Sequence, residues 1–174
     1  MPTWNSRGLR GSTLEELINH TNELYREKGL GLVQKIPTPI TPVKIDKENG
    51  NISLAYFEKD STVDYIGVIQ GVPICFDAKE CSVDTFSLRN IHEHQVQFMD
   101  DFEKQQGISF LIIKMNSLYY LLDGKLILDF INNNDRKSIP YEYIKDNGVL
   151  IKENIRPALD YIKVIDSYYF KEEK

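Results

Sequence analysis

The sequence predicts an α/β protein with a two-stranded ribbon standing out from its body, and three observations lead there. Leu14, Leu17, Ile18, Thr21, Leu24 and Tyr25 recur at helical spacing near the start of the chain. Residues 72–79 alternate with the period of a half-buried strand, and residues 108–115 form a nearly unbroken apolar run suited to a fully buried one. Pro37, Pro39 and Pro42 then break regular pairing within six residues, ahead of alternating residues on both sides of Asn49-Gly50. At 174 residues and 41% hydrophobic content, one domain can bury a core without disulfides or structural metal.

Composition excludes several classes. No apolar run approaches the ~18 residues of a membrane span, and residues 1–11 lack the apolar stretch of a signal peptide, so the expectation is a cytoplasmic chain with no membrane partner. Cys75 and Cys81 lack the spacing of a zinc site or a disulfide framework and read as reduced, structural thiols. The net charge of −5 runs against binding a polyanion, although an empty carboxylate metal site contributes to such an excess and a bound cation restores positive charge locally.

Taken in order, residues 1–11 carry Arg7 and Arg10 among glycines and small polar residues, which reads as a frayed terminus or as a basic arm that orders on phosphate. Ser12-Thr13-Leu14-Glu15 has the form of a capping box, in which Ser12 caps helix one and Glu15 reaches back to it; Gly29 ends the helix. The competing use of Glu15 is as a carboxylate pointing from the helix toward a metal. Residues 30–36 read as a strand, and residues 37–57 as the projecting ribbon, a decorative hairpin or a surface for a second copy or for DNA.

The stretch S-T-V-D-Y-I-G-V-I-Q-G-V-P-I-C-F-D-A-K-E-C at 61–81 carries the chemistry. Alternation places Ile74, Phe76 and Ala78 on one strand face and Cys75, Asp77 and Lys79 on the other. If the strand after Asp64 pairs back across Gly71, two carboxylates and a lysine converge. Carboxylate oxygens suit a hard divalent cation such as magnesium, with manganese as a substitute. The metal-bound water and an adjacent lysine suit phosphodiester hydrolysis. Asp64 and Asp77 are thus the candidate ligands and Lys79 the group serving the water. The spacing matches the PD-(D/E)xK nuclease signature with Val63 in place of its proline, and a solvated strand face is the alternative.

Residues 82–86 read as a loop, and Leu88, Ile91, Phe98, Met99 and Phe102 as one helix ending before Gly107 with Gln95 near its middle. His92 and His94, two apart on a helix, would point away from each other, so phosphate contact or capping is expected of them rather than zinc. Residues 118–122 return beside the 108–115 strand and end the core; residues 132–137 form a polar loop, 140–146 a short helix with Pro140 in its first turn, and 161–165 a last apolar strand or extended segment.

G-S-T-L-E-E-L-I-N-H-T-N, K-I-P-T-P-I, A-Y-F-x(3)-S-T-V-D-Y-I-G-V, F-D-A-K-E, N-I-H-E-H-Q, R-K-S-I-P and L-D-Y-I-K-V-I-D together resemble RecU, the Holliday junction resolvases of low-GC Gram-positive bacteria, over almost the whole chain. The resemblance implies a restriction-endonuclease-like core, a mixed central sheet flanked by helices with residues 37–57 as a stalk, in one nuclease domain over 1–174. It also implies a homodimer that cuts four-way DNA junctions with magnesium in recombination and repair. Asp64 and Asp77 would bind metal, Glu15 would be a distal ligand, Lys79 would serve the water, and Gln95 would support the ligands or touch DNA. Arg7, Arg10, Lys35 and Lys44 join Gln95 as candidate DNA contacts. Two symmetric nicks suit a two-fold dimer. The chain departs from the family's usual pattern at Asp77, where glutamate is common, and at Val63, where threonine is common, which lowers the expected metal affinity while leaving activity. A short arm and a weakly basic ribbon turn reduce the expected junction affinity. The contrasting readings are a non-catalytic junction- or recombinase-binding module of the same fold, a nuclease for ordinary duplex or single strands, and a purely structural interaction protein.

Overall fold

The computed structural model describes residues 13–57 and 62–170. Arg7, Arg10 and Ser12 lie outside them. The elements run α1 (Leu14–Glu27), β1 (Gly31–Lys35), β2 (Ile40–Asp46), β3 (Asn51–Phe57), β4 (Tyr65–Ile69), β5 (Val72–Cys81), β6 (Thr85–Ser87), a 3-10 turn (Leu88–Asn90), α2 (Glu93–Lys104), β7 (Ile108–Met115), β8 (Leu118–Asp123), α3 (Gly124–Asn133), β9 (Ser138–Pro140), α4 (Tyr141–Asn147), β10 (Val149–Ile151) and α5 (Tyr161–Tyr169). Six strands form the central sheet in the order β1-β4-β5-β7-β8-β10. The β5–β7 pair is parallel and its neighbours are antiparallel, so the sheet is mixed.

Strand β5 divides the interior in two. Ile74, Phe76 and Ala78 enter a core shared with Leu14, Ile18 and Tyr25 of α1 and Tyr161 and Ile165 of α5; Cys75 enters the opposite core with Met99 of α2, Ile127 and Phe130 of α3, and Phe86 and Ile139 of the small β6–β9 pair. The alternation read from the sequence holds, but both faces are covered and the strand is not half-buried. Tyr65, Phe76 and Phe110 stack across β4, β5 and β7 at centroid spacings of 4.7 Å, fixing the middle of the sheet.

Two hairpins rest on positive-φ turns. Gln70-Gly71 joins β4 to β5 with φ of 48° and 88°, and Asn116-Ser117 joins β7 to β8 with 51° and 62°. The ribbon turn is longer: Asp46 pairs with Asn51, and Asp46 Oδ1 accepts from the Glu48 and Asn49 amides. Asn49-Gly50 thus closes a four-residue loop and is not a two-residue turn. Strands β2 and β3 form their own sheet, with Val43, Ile45, Leu54, Tyr56 and Phe57 exposed.

Several expectations shift. The cap of α1 is Thr13, whose hydroxyl accepts from the Glu16 amide while Glu16 Oε2 accepts from Thr13 N, so the capping box sits one residue later than expected and leaves Glu15 free for other use. Leu88 and Ile91 precede α2, because the chain makes a 3-10 turn before the helix opens at His92. The core does not end at β8: Asp123 caps α3 by accepting from Lys125 N at 2.7 Å, and Ile127 and Phe130 bury behind it. Residues 85–87 and 149–151 are short strands, and Pro140 is the cap of α4, not its first turn. Residues 161–169 are helical, burying Tyr161, Ile162, Val164 and Ile165 on one face; the amide of Ile162 donates to the Tyr25 hydroxyl, satisfying an otherwise orphaned group of the first turn.

Phe76→Ala removes the middle ring of the stack beneath the site strand. We expect a loss of about 3–5 kcal/mol in urea unfolding; a loss under ~1 kcal/mol would mean that the stack does not anchor β5.

Candidate active site

The antiparallel register of β4 and β5 pairs Tyr65 with Phe76. One residue further along, Asp64 comes opposite Asp77, on the sheet face away from α1. Asp77 Oδ1 accepts from the Asp64 amide at 2.6 Å, and Asp64 Oδ2 accepts from the Ala78 amide at 3.3 Å, so each carboxylate is held by the other strand's backbone. Lys79 completes the group, its Nζ 3.3 Å from Asp77 Oδ2 and 4.0 Å from Asp64 Oδ2. The three predicted residues converge.

Their burial is unequal: the Asp77 side chain is 0% exposed, Lys79 19% and Asp64 30%. Burial first, then the Asp64 charge beside it, hold the Asp77 carboxyl above the ordinary carboxylate range, against the pull of Lys79. Asp77 Oδ2 is buried and has no hydrogen bond; the Lys79 ammonium is near enough for ion pairing without hydrogen-bond alignment. An orphaned, buried carboxylate oxygen beside a half-exposed second carboxylate fits a hard cation that takes its remaining ligands from water and phosphate. Asp64 and Asp77 would hold that ion. Among the described residues no three His, Cys, Asp or Glu side chains gather into a metal-binding group.

The other predicted residues stand apart. Glu15 ion-pairs with Lys35 at the β1 edge, with both side chains substantially exposed, so neither the distal carboxylate nor that candidate DNA contact is free. The Glu15 charge still reaches the site's edge: after burial, it and Asp64 help to push the Tyr65 hydroxyl up, and Tyr65 donates to Asn19 Oδ1 one turn along α1. Lys44 is exposed on the ribbon. Gln95 is buried, its Oε1 accepting from the His92 amide, so it closes the start of α2 and is not presented to DNA. His92 lies before the helix and not on it, which lets its ring stack on His94 at 5.4 Å and 8°, contrary to the expectation that the two diverge. Val63 is wholly buried in the apolar cluster behind the site. Burial pushes the Cys75 thiol up, and neither cysteine forms a disulfide.

Sequence reasoning missed Glu80. Its Oε1 accepts from the Leu14 amide at 2.6 Å and its Oε2 lies 3.5 Å from Lys114 Nζ, tying the start of α1 to β5 and β7. Its position next to Lys79 in F-D-A-K-E was the available signal.

The fold and the site define an α/β class of protein, a mixed central sheet flanked by helices in which the β4–β5 pairing brings two acids and a lysine together. The family described as recombination protein U, RecU, matches residues 9–167, and the chain belongs to it. It is 41% identical over 172 residues to the Holliday junction resolvase RecU of Geobacillus sp. (strain WCH70), covering 94% of this chain and 86% of that one. It is 42% identical over 166 residues to the protein of the same name from Leuconostoc mesenteroides, covering 91% and 81%. Among solved structures, the Holliday junction resolvase Hjc of Archaeoglobus fulgidus matches with a TM-score of 0.47 and 9% identity, over 77% of this chain and 95% of that one. Among the described residues no helix is long and apolar enough to cross a membrane.

Replacing Asp77 by Asn keeps the acceptor for the Asp64 amide and removes the buried like charge. Because folding raises the Asp77 pKa, wild type carries no penalty below the unfolded value near ~3.9 and loses stability as pH rises through the raised folded value. In chelator, Asp77→Asn should therefore melt about 2–5 °C above wild type at pH 8, the gap closing toward acid. A gap independent of pH would refute the repulsion.

Proposed function

We propose that the chain is a magnesium-dependent endonuclease that nicks four-way DNA junctions in recombination and repair, acting as a two-fold homodimer with the ribbon as its stalk. The observation that carries this is the convergence of Asp64, Asp77 and Lys79 on paired strands, in a chain of the RecU family. Manganese would substitute, its preferred ligands being the same oxygens.

The chain's own residues divide the work. Asp64 and Asp77 would hold the cation, and the backbone bonds that tie each to the opposite strand fix their spacing before substrate arrives. Such an ion would supply a water of lowered pKa and offset charge developing on the phosphate. Lys79 stands beside both carboxylates, where its ammonium would orient the attacking water and hydrogen-bond the phosphate. Glu15 becomes a distal ligand only by leaving Lys35.

The ribbon argues for a partner. Apolar residues are exposed along both strands, and an isolated two-stranded hairpin is marginal in water. A second copy supplies apolar cover and places two sites symmetrically about a junction. The non-catalytic reading draws on Val63, which leaves an apolar side chain where the family usually has a hydroxyl.

The deciding measurement is cleavage of a labelled four-way junction and of matched linear duplex, with magnesium and with chelator. Paired nicks confined to the junction and dependent on magnesium are expected; binding without cutting would establish the non-catalytic module, and cutting of both substrates would remove junction selectivity. Lys79→Ala should bind junctions as wild type does and cut about 10²–10⁴-fold more slowly. Loss of binding instead would make Lys79 a phosphate contact alone. Replacing residues 38–56 by a short turn should abolish discrimination of junction from duplex and leave a cooperative melt; outright unfolding would make the ribbon part of the core.

A further inference from the structure

A chain with net charge −5 must present its cations selectively if it is to hold DNA. Several of its basic side chains are engaged: Lys35, Lys79, Lys104, Lys114, Lys125 and Lys145 each face a carboxylate. Among the cations that do not, Arg89, Arg136 and Lys137 are the ones the fold gathers over the site's sheet face. All three are exposed, and none has a carboxylate within ion-pairing distance among the described residues, although Asp135 is the chain neighbour of Arg136. They belong to segments that the fold brings together: β6 pairs with β9 through Ser87 and Ser138, and the Leu88 amide donates to the Lys137 carbonyl at 3.0 Å. Arg89 and the Arg136-Lys137 dipeptide therefore flank one short strand pair.

The place of that pair matters. Phe86 and Ile139 pack into the same core as Cys75, so β6 and β9 lie over the sheet face to which alternation also assigns Asp77 and Lys79. The chain reaches β6 directly from the end of β5, and the Cys81 thiol donates to the Thr85 carbonyl, holding the connection close to the site's own strand. The acid of the connection, Asp84, is exposed and accepts from Asn116 Nδ2 at 3.0 Å through Oδ1.

We propose that Arg89, Arg136 and Lys137 form a second DNA-contact surface, which seats the phosphate backbone of one junction arm beside the Asp64–Asp77–Lys79 site. Two guanidiniums can grip phosphate oxygens bidentately, and the lysine adds a point charge. The surface fixes the arm's approach to the metal site and reads no base sequence. This rests on the junction-cutting reading of the preceding section.

The test is fluorescence anisotropy of a labelled four-way junction with the full chain in chelator, across ~50–200 mM salt. Arg89→Ser, Arg136→Ser and Lys137→Ser together should weaken binding about 10-fold or more at low salt and flatten the slope of log affinity against log salt by about 2–3. Lys28→Ser, Lys152→Ser and Lys163→Ser together remove the same charge from exposed positions elsewhere and should leave the slope within ~0.5 of wild type. If the first triple variant melts early, its three single substitutions, each expected to lower the slope by about 1, carry the test. Wild type and first triple binding with equal affinity and slope would overturn the second surface and leave the resolvase reading standing, as would an equal loss in the control. Wild type failing to bind the junction in chelator and also with calcium in its place would overturn both.

Discussion

The active-site geometry depends on the register of the β4–β5 hairpin. A two-residue turn at Gln70-Gly71, both at positive φ, pairs Ile69 with Val72, and each following pair is then determined up to Tyr65 and Phe76. Asp64 faces Asp77 only in this register. A slip of one residue would turn Asp77 into the core beneath α1 and Phe76 toward the metal site, so the apolar and the charged faces enforce each other. The stack of Tyr65, Phe76 and Phe110 secures the register from the buried side.

The same register creates an electrostatic cost. It brings two carboxylates together where one of them has no water, and the backbone amide and the lysine nearby offset the repulsion only in part, since Asp77 Oδ2 is left without a hydrogen bond. Such an arrangement is hard to explain as a device for stability, because an apolar pair at these positions would fold at lower cost. It fits a site whose missing charge would arrive with a ligand, since a divalent cation held by Asp64 and Asp77 would offset their repulsion. Stability is reduced at the point where function requires charge.

Where a feature was set by local chain chemistry, it was legible beforehand. The helical stripe of α1, the alternation of β5, the proline-bounded ribbon and the Asp64, Asp77 and Lys79 trio all rest on spacing within a segment or across one short turn. What tertiary partners decide was not legible. Residues 161–165 are rich in β-branched and aromatic side chains and read as a strand or extended segment, yet they open the helix Tyr161–Tyr169 because α1 and the sheet bury one helical face and the Tyr25 hydroxyl accepts from the Ile162 amide. Helix α3 did carry a local signal, Asp123 ahead of Leu126, Ile127, Phe130 and Ile131, which a reading focused on the return strand passed over. Glu15 shows the third case. The one-residue shift of the cap to Thr13 frees it from the helix terminus, but its carboxylate then goes to Lys35, a residue of another strand.

Charge distribution resolves the conflict between an acidic chain and a polyanionic substrate. Part of the acidity is matched locally: Glu93, Asp100, Glu103 and Asp129 line a cleft of about 690 Å³ between α2 and α3 that Lys104 and Lys125 share, Lys104 pairing with Asp100 and Lys125 with Glu103. At the site, a bound cation would offset the charges of Asp64 and Asp77. Two further acids serve structure, Glu80 at the first amide of α1 and Glu16 at its cap. The net charge is therefore a poor measure of the field a phosphate would meet, because Asp64 and Asp77 lie where a metal would offset them and Glu16 and Glu80 serve the first turn of α1, while three cations without a carboxylate partner among the described residues, Arg89, Arg136 and Lys137, flank the β6–β9 pair over the same sheet face.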